Sequence, residues 1–168
     1  GGKEYLLQMK FKPMPRYTDG VVTGVDPAKR TTHPVGRMFG QPMVETTGRK
    51  RARLDDAIGP WFAVIGVGCD PAAALSPDRR AWWEAIAARF VQVDSPRTRV
   101  RPGDTPAGDG GATLHLVDVD GGFRDWLLDR PHDEVIVLRP DRYVAAVCRA
   151  ADLDTTTDAL RSVIGGGQ

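Results

Sequence analysis

Cysteine is scarce. Cys69 and Cys148 are the only two in 168 residues. That excludes a disulfide framework and any zinc-ligand spacing, and it predicts two buried thiols in a reducing, cytoplasmic compartment. Long apolar runs are missing too. The longest, residues 61–67 (WFAVIGV), is far too short to cross a bilayer. No basic segment followed by an apolar run opens the sequence, so no secretory leader is expected. Lysine is absent beyond Lys50. Hydrophobic residues at 41% and charged residues at 27% describe a globular chain and exclude a wholly disordered one.

The net charge of +1 hides an asymmetry. Residues 1–53 carry 11 Lys or Arg against 4 acids; residues 54–168 carry 12 Arg against 18 acids. The two stretches therefore expect different surroundings.

Residues 1–60 read as an extended arm. Prolines at 13, 15, 27, 34, 42 and 60, interleaved with glycines, repeatedly interrupt helices and central strands. Residues 5–11 (YLLQMKF) suit one short strand. Beyond it the arm has too few clustered apolar side chains for its own core. Leu6, Leu7, Met9, Phe11, Met14, Tyr17, Met38, Phe39 and Met43 are nevertheless too many for a solvated tail. The arm should pack on something, either the domain that follows or a partner outside the sequence.

Residues 61–168 read as an α/β domain. Residues 62–67 (FAVIGV) make a buried strand. Ser76-Pro77-Asp78 opens a helix with a hydroxyl cap, a proline at the first position and an early acid. Trp82, Ile86 and Phe90 recur every four residues and predict its buried face. Trp83 then falls at the edge of that face, covered by the chain itself or presented to a partner. Residues 91–93 resume an extended chain, 97–111 form a polar Pro/Gly loop, 113–119 (TLHLVDV) a second strand, and 123–129 a short helix. Residues 135–138 and 143–148 pair as a hairpin around Arg139-Pro140-Asp141-Arg142, a type I turn composition. Residues 155–164 give a last helix. This order, β-α-β, loop, β-α, hairpin, α, is the layout of a thioredoxin-like mixed sheet with helices on both faces.

Such a fold suggests redox chemistry, but only Cys69 stands after the first strand, and a dithiol exchanger needs a resolving thiol. Cys69 could be activated near a helix N-terminus, although Asp70 beside it opposes that. His33, His115 and His132 are scattered and predict no metal site. Asp118, Asp120, Asp125 and Asp129 cluster around a strand end and a helix start; Asp120 fits the turn, and Asp125 and Asp129 the wet face of a short helix, better than a set of paired acid–base groups. The basic cluster at 48–53 (GRKRAR) lacks the interleaved aromatics and reading helix of a nucleic-acid site. Gly66-x-Gly68 has no third glycine opening a helix and is no dinucleotide fingerprint. Neither nucleic acid nor a membrane is expected as a partner, and no catalytic, cofactor or metal residue is assigned.

Four segments carry a family resemblance: 5–20 (YLLQMKFKPMPRYTDG), 36–44 (GRMFGQPMV), 54–66 (LDDAIGPWFAVIG) and 135–147 (VIVLRPDRYVAAV). Together they resemble the C-terminal end of FAD-dependent aromatic hydroxylases of the 3-(3-hydroxyphenyl)propionate hydroxylase and phenol hydroxylase type. Gly40 departs from the pattern where a proline is expected. The resemblance implies a thioredoxin-like C-terminal domain without the CxxC pair. It also implies a parent that uses FAD and NAD(P)H to hydroxylate a phenolic ring, an FAD-binding catalytic domain as the partner in the same polypeptide, and contacts within a homo-oligomer. It places no family catalytic residue here. Two other readings remain open: a free-standing thiol redox protein using Cys69, and a basic-arm nucleic-acid-binding module.

Overall fold

The computed structural model describes residues 21–23, 34–46, 48, 50–96, 113–127 and 134–165. The strand expected at 5–11, the loop at 97–111, and His33, His132 and Asp129 lie outside them. Seven strands form one mixed sheet in the order β2-β1-β5-β4-β3-β6-β7. They are β1 (Met43–Thr46), β2 (Arg51–Arg53), β3 (Ala63–Val67), β4 (Arg89–Asp94), β5 (Leu114–Asp118), β6 (Glu134–Leu138) and β7 (Val144–Arg149). β3, β4 and β5 run parallel at the centre; β1 and β6 flank them antiparallel.

Alternation along the central strands divides the interior into two layers. Ala63, Ile65, Ile136, Leu138, Val91 and Val93 face one side. Val64, Val135 and Val137 face the other. Both sides need cover, which is why β3 and residues 135–138 of β6 read as unbroken apolar runs. On the second face lie α2 (Pro77–Ala85) and α4 (Leu153–Gly165). On the first lie α1 (Leu54–Ile58), α3 (Gly122–Trp126) and the segment around Val35 and Phe39. The thioredoxin-like layout read from the sequence is the observed one.

The helix α2 corrects one expectation. Trp83, not Trp82, is its core residue: Trp83 is 0% exposed and Trp82 is half-buried. The four-residue stripe assumed a helix reaching Phe90. The helix stops at Ala85, Ala87 takes a left-handed φ of 57°, and Phe90 belongs to β4. The face that matters is set by α4 instead. Trp83 Nε1 donates to the Thr157 hydroxyl at 3.0 Å, and the Arg79 guanidinium, one turn earlier, binds Asp158 at 2.7 Å. A buried indole with its polar tip satisfied is a better core element than its neighbour. Trp82 packs on Trp83 edge-on, with centroids 4.7 Å apart.

Part of the stretch read as an arm packs onto the sheet. Residues 43–46 and 51–53 are strands, and 54–58 is a helix. Val35, Phe39, Val44, Leu54 and Ile58 are all core. The Phe39 ring meets Phe123 and Trp126 at 5.3 and 4.7 Å. These contacts are long-range, so no local periodicity announces them.

Candidate functional site

The hairpin turn is the point where the distant segments meet. In the Arg139–Tyr143 turn, the Arg142 N–H donates to the Arg139 carbonyl at 2.9 Å, and the Arg139 N–H to the Tyr143 carbonyl at 2.9 Å. Pro140 fixes the turn's first corner, and Arg142 closes it with φ 68°, a conformation a non-glycine residue adopts only when its surroundings hold it. The surroundings are explicit. Arg142 Nε lies 2.5 Å from Asp55 Oδ1; its Nη2 donates to the Gly59 carbonyl at 2.5 Å and its Nη1 to the Trp61 carbonyl at 3.4 Å. Gln41 Nε2 donates to the other Asp55 oxygen. On the backbone side, the Phe39 N–H reaches the Arg142 carbonyl at 2.8 Å, and Gly36 N–H and Arg37 C=O bond Val144. The side chain of Arg142 is only 12% exposed, so its charge is held by partners and not by water.

Three of the segments that carry the resemblance, 36–44, 54–66 and 135–147, thus meet at Arg142: 54–66 on its guanidinium, and 36–44 on its backbone carbonyl and on Asp55. Sequence reasoning took Arg142 as a turn residue; nothing in its neighbourhood along the chain signals Asp55 or Gln41. The outer edge of β7 is closed by the same region: Met38 bridges Tyr143, and the Thr23 N–H donates to the Ala145 carbonyl at 2.8 Å. The opposite edge, β2, is three residues long with Arg51 and Arg53 exposed. Short, charged edges resist strand addition, which gives the basic cluster a structural use. Gly40 has open space around it: an added Cβ would meet nothing within 4 Å.

The other candidates have these places in the fold. Cys69 stands in the loop after β3, eight residues ahead of the start of α2, so it does not sit at a helix N-terminus as the thiol reading required. Gly66-x-Gly68 serves packing. A Cβ on Gly66 would lie 2.2 Å from the Cys69 carbonyl oxygen and 2.9 Å from Pro71. That close return of the chain, with no helix opening behind it, leaves no cradle for a pyrophosphate, so these residues do not fit a dinucleotide. Asp118 is 5% exposed; its Oδ2 accepts the N–H groups of Phe123 and Arg124, each at 3.1 Å. Burial pushes its carboxyl above the ordinary value of 3.8, and those N–H groups pull it back only partly. Asp120 accepts from the Met43 and Gly122 N–H groups at 3.3 Å. The two carboxylates anchor β1 and α3 around the end of β5. Asp125 is exposed and pairs with Arg124. His115 lies within β5, half-buried. Among the described residues no group of three His, Cys, Asp or Glu could hold a metal ion, and no helix is long and apolar enough to cross a membrane.

The model of the HcaD C-terminal domain family matches residues 36–163. The chain belongs to that family. A 3-(3-hydroxy-phenyl)propionate/3-hydroxycinnamic acid hydroxylase of Burkholderia vietnamiensis is 46% identical over 162 residues, covering 96% of the chain and 29% of the relative. The chain therefore spans under a third of that relative's length. Among solved structures, the flavin-dependent monooxygenase PieE, determined with FAD and substrate, aligns with a TM-score of 0.58 at 18% identity, over 89% of the chain and 25% of its own. A thioredoxin-like protein from Porphyromonas gingivalis aligns at 0.59 and 12% identity, over 77% of the chain and 94% of its own. At those identities the structures establish the fold alone. HcaD C-terminal domain membership and the thioredoxin-like fold are thus in agreement.

Proposed function

We propose that this chain is the non-catalytic C-terminal accessory domain of an FAD- and NAD(P)H-dependent aromatic-ring monooxygenase. Its parent would hydroxylate a phenolic acid such as 3-(3-hydroxyphenyl)propionate in the cytoplasm. The observation that carries the reading is the pattern of coverage: nearly the whole chain matches a hydroxylase, yet only 29% of that hydroxylase is matched. FAD and NAD(P)H belong, on this reading, to an FAD-binding catalytic domain of the same polypeptide, and the work of the present domain, in which residues 34–58 share one core with the sheet that follows, is packing and homo-oligomer contact. The geometry supports this division. The most tightly organised polar cluster, Arg142–Asp55–Gln41, is spent on holding segments of the domain together, and Gly66-x-Gly68 is filled by its own loop.

Deleting residues 34–165 from the longer polypeptide tests the proposal. The expected product keeps bound FAD and loses assembly or solubility. Loss of FAD binding and turnover in the purified, still-folded remainder would show that this domain takes part in the flavin site.

A further inference from the structure

The turn between β5 and α3 holds a chemically reactive pair that the accessory-domain reading does not use. Asp-Gly occurs at 19–20, 109–110 and 120–121 in the sequence. Of these, Asp120-Gly121 lies within the described residues. The fold demands glycine at 121: its φ is 78°, and a Cβ there would stand 2.8 Å from Arg124 Nη2. It also fixes the aspartate before it. Asp120 Oδ1 accepts the Gly122 N–H and Oδ2 accepts the Met43 N–H, each at 3.3 Å. A carboxylate is thus followed by the one residue with no side chain to shield its peptide nitrogen.

We propose that Asp120-Gly121 is a site of spontaneous covalent modification, at which the Asp120 side chain cyclises onto the Gly121 nitrogen and reopens as isoaspartate. In the first step the Gly121 nitrogen attacks Asp120 Cγ. A Cγ–N bond forms, the nitrogen gives up its proton, and one carboxyl oxygen leaves as water. In the second step water adds to the main-chain carbonyl carbon of Asp120, and its bond to the Gly121 nitrogen breaks. The main chain then runs through Cβ and Cγ, and the α-carboxyl is left free. Nothing is oxidised or reduced.

The geometry favours each part of the reaction. Asp120 is exposed, so water reaches and leaves it. The bond from the Gly122 N–H folds the carboxyl back over the intervening Gly121 nitrogen, the approach that ring closure needs. The N–H groups of Gly122 and Met43, one on each oxygen, face the charge that grows there during attack. The Arg124 guanidinium beside Gly121 eases loss of the nitrogen's proton. Among the described residues no backbone carbonyl accepts the Gly121 N–H. The product lengthens the main chain by one atom and withdraws the carboxylate that ties β1 to the start of α3.

Incubating the purified chain for several weeks under physiological conditions, with isoaspartate at residue 120 followed by peptide mapping, tests this against a synthetic peptide of residues 116–125. Residue 120 should convert in the folded chain faster than in the peptide by about threefold, the size of an exposed charge interaction. Arg124→Gln should bring the folded rate down to that of the peptide. Asp120→Glu, whose ring would be one atom larger, should give no isomer there. A folded rate no higher than that of the peptide would overturn the proposal, because the turn would then be holding Cγ and the nitrogen apart. An unchanged rate in Arg124→Gln would overturn the part assigned to the guanidinium.

Discussion

Arg142 and Asp55 face each other at 2.5 Å across the join between the hairpin and the first helix of the sheet's outer layer. Both are partly withdrawn from water, and both are needed to hold segments that lack a core of their own. Arg142→Ala should destabilise the domain by about 2–3 kcal/mol in urea denaturation, since it removes charge-assisted bonds and strands Asp55. Arg142→Gly loses the same bonds but relieves the φ of 68°. It should be less damaging than the alanine variant by about 1 kcal/mol. Equal losses would show that the backbone there is unstrained.

Trp83 should be essential to folding. Trp83→Ala empties a fully buried site and removes the partner of Thr157, with an expected cost of about 3–5 kcal/mol. Trp82→Ala, at a half-buried position, should cost less than half of that. Chemical denaturation of the two variants side by side checks the order; a larger loss for Trp82→Ala would contradict the assignment.

Gly66 is held by close contact. Gly66→Ala places a methyl against the Cys69 carbonyl, a backbone atom that cannot turn away. A loss of about 1–3 kcal/mol in melting experiments is expected from overpacking, and a neutral result would mean that the loop after β3 moves freely.

Asp118 gives a pH signature. Its carboxyl in the fold titrates above 3.8 because it is buried. The fold therefore favours its protonated form: that contribution is complete below pH 3.8 and is lost as pH rises through the raised value. Asp118→Asn keeps an acceptor for the Phe123 and Arg124 N–H groups without the charge. Its stability, measured by denaturation across this window, should fall less than that of the natural protein as pH rises. A steeper fall for Asp118→Asn would refute the assignment.

The parts of the fold that were legible in sequence are those whose signals are local. Residues 135–138 and 143–148 announce a hairpin because apolar runs flank Pro140-Asp141, and Ser76-Pro77 announces a helix start. A four-residue period running to Phe90 misplaces Trp83, because the helix ends at Ala85 and the chain turns into a strand. Residues 34–58 looked like a linker because Val35, Phe39, Val44 and Ile58 follow no periodicity; each is placed by a partner far along the chain. Arg142 was invisible for the same reason. A charge in a turn reads as solvated until Asp55 and Gln41 are brought beside it.

The central claim is that this domain serves a flavin enzyme without holding the flavin. Equilibrating the purified chain with excess FAD, removing free FAD by gel filtration and recording the visible spectrum measures that directly. The account predicts a protein fraction without flavin absorbance. One FAD retained per chain would contradict it.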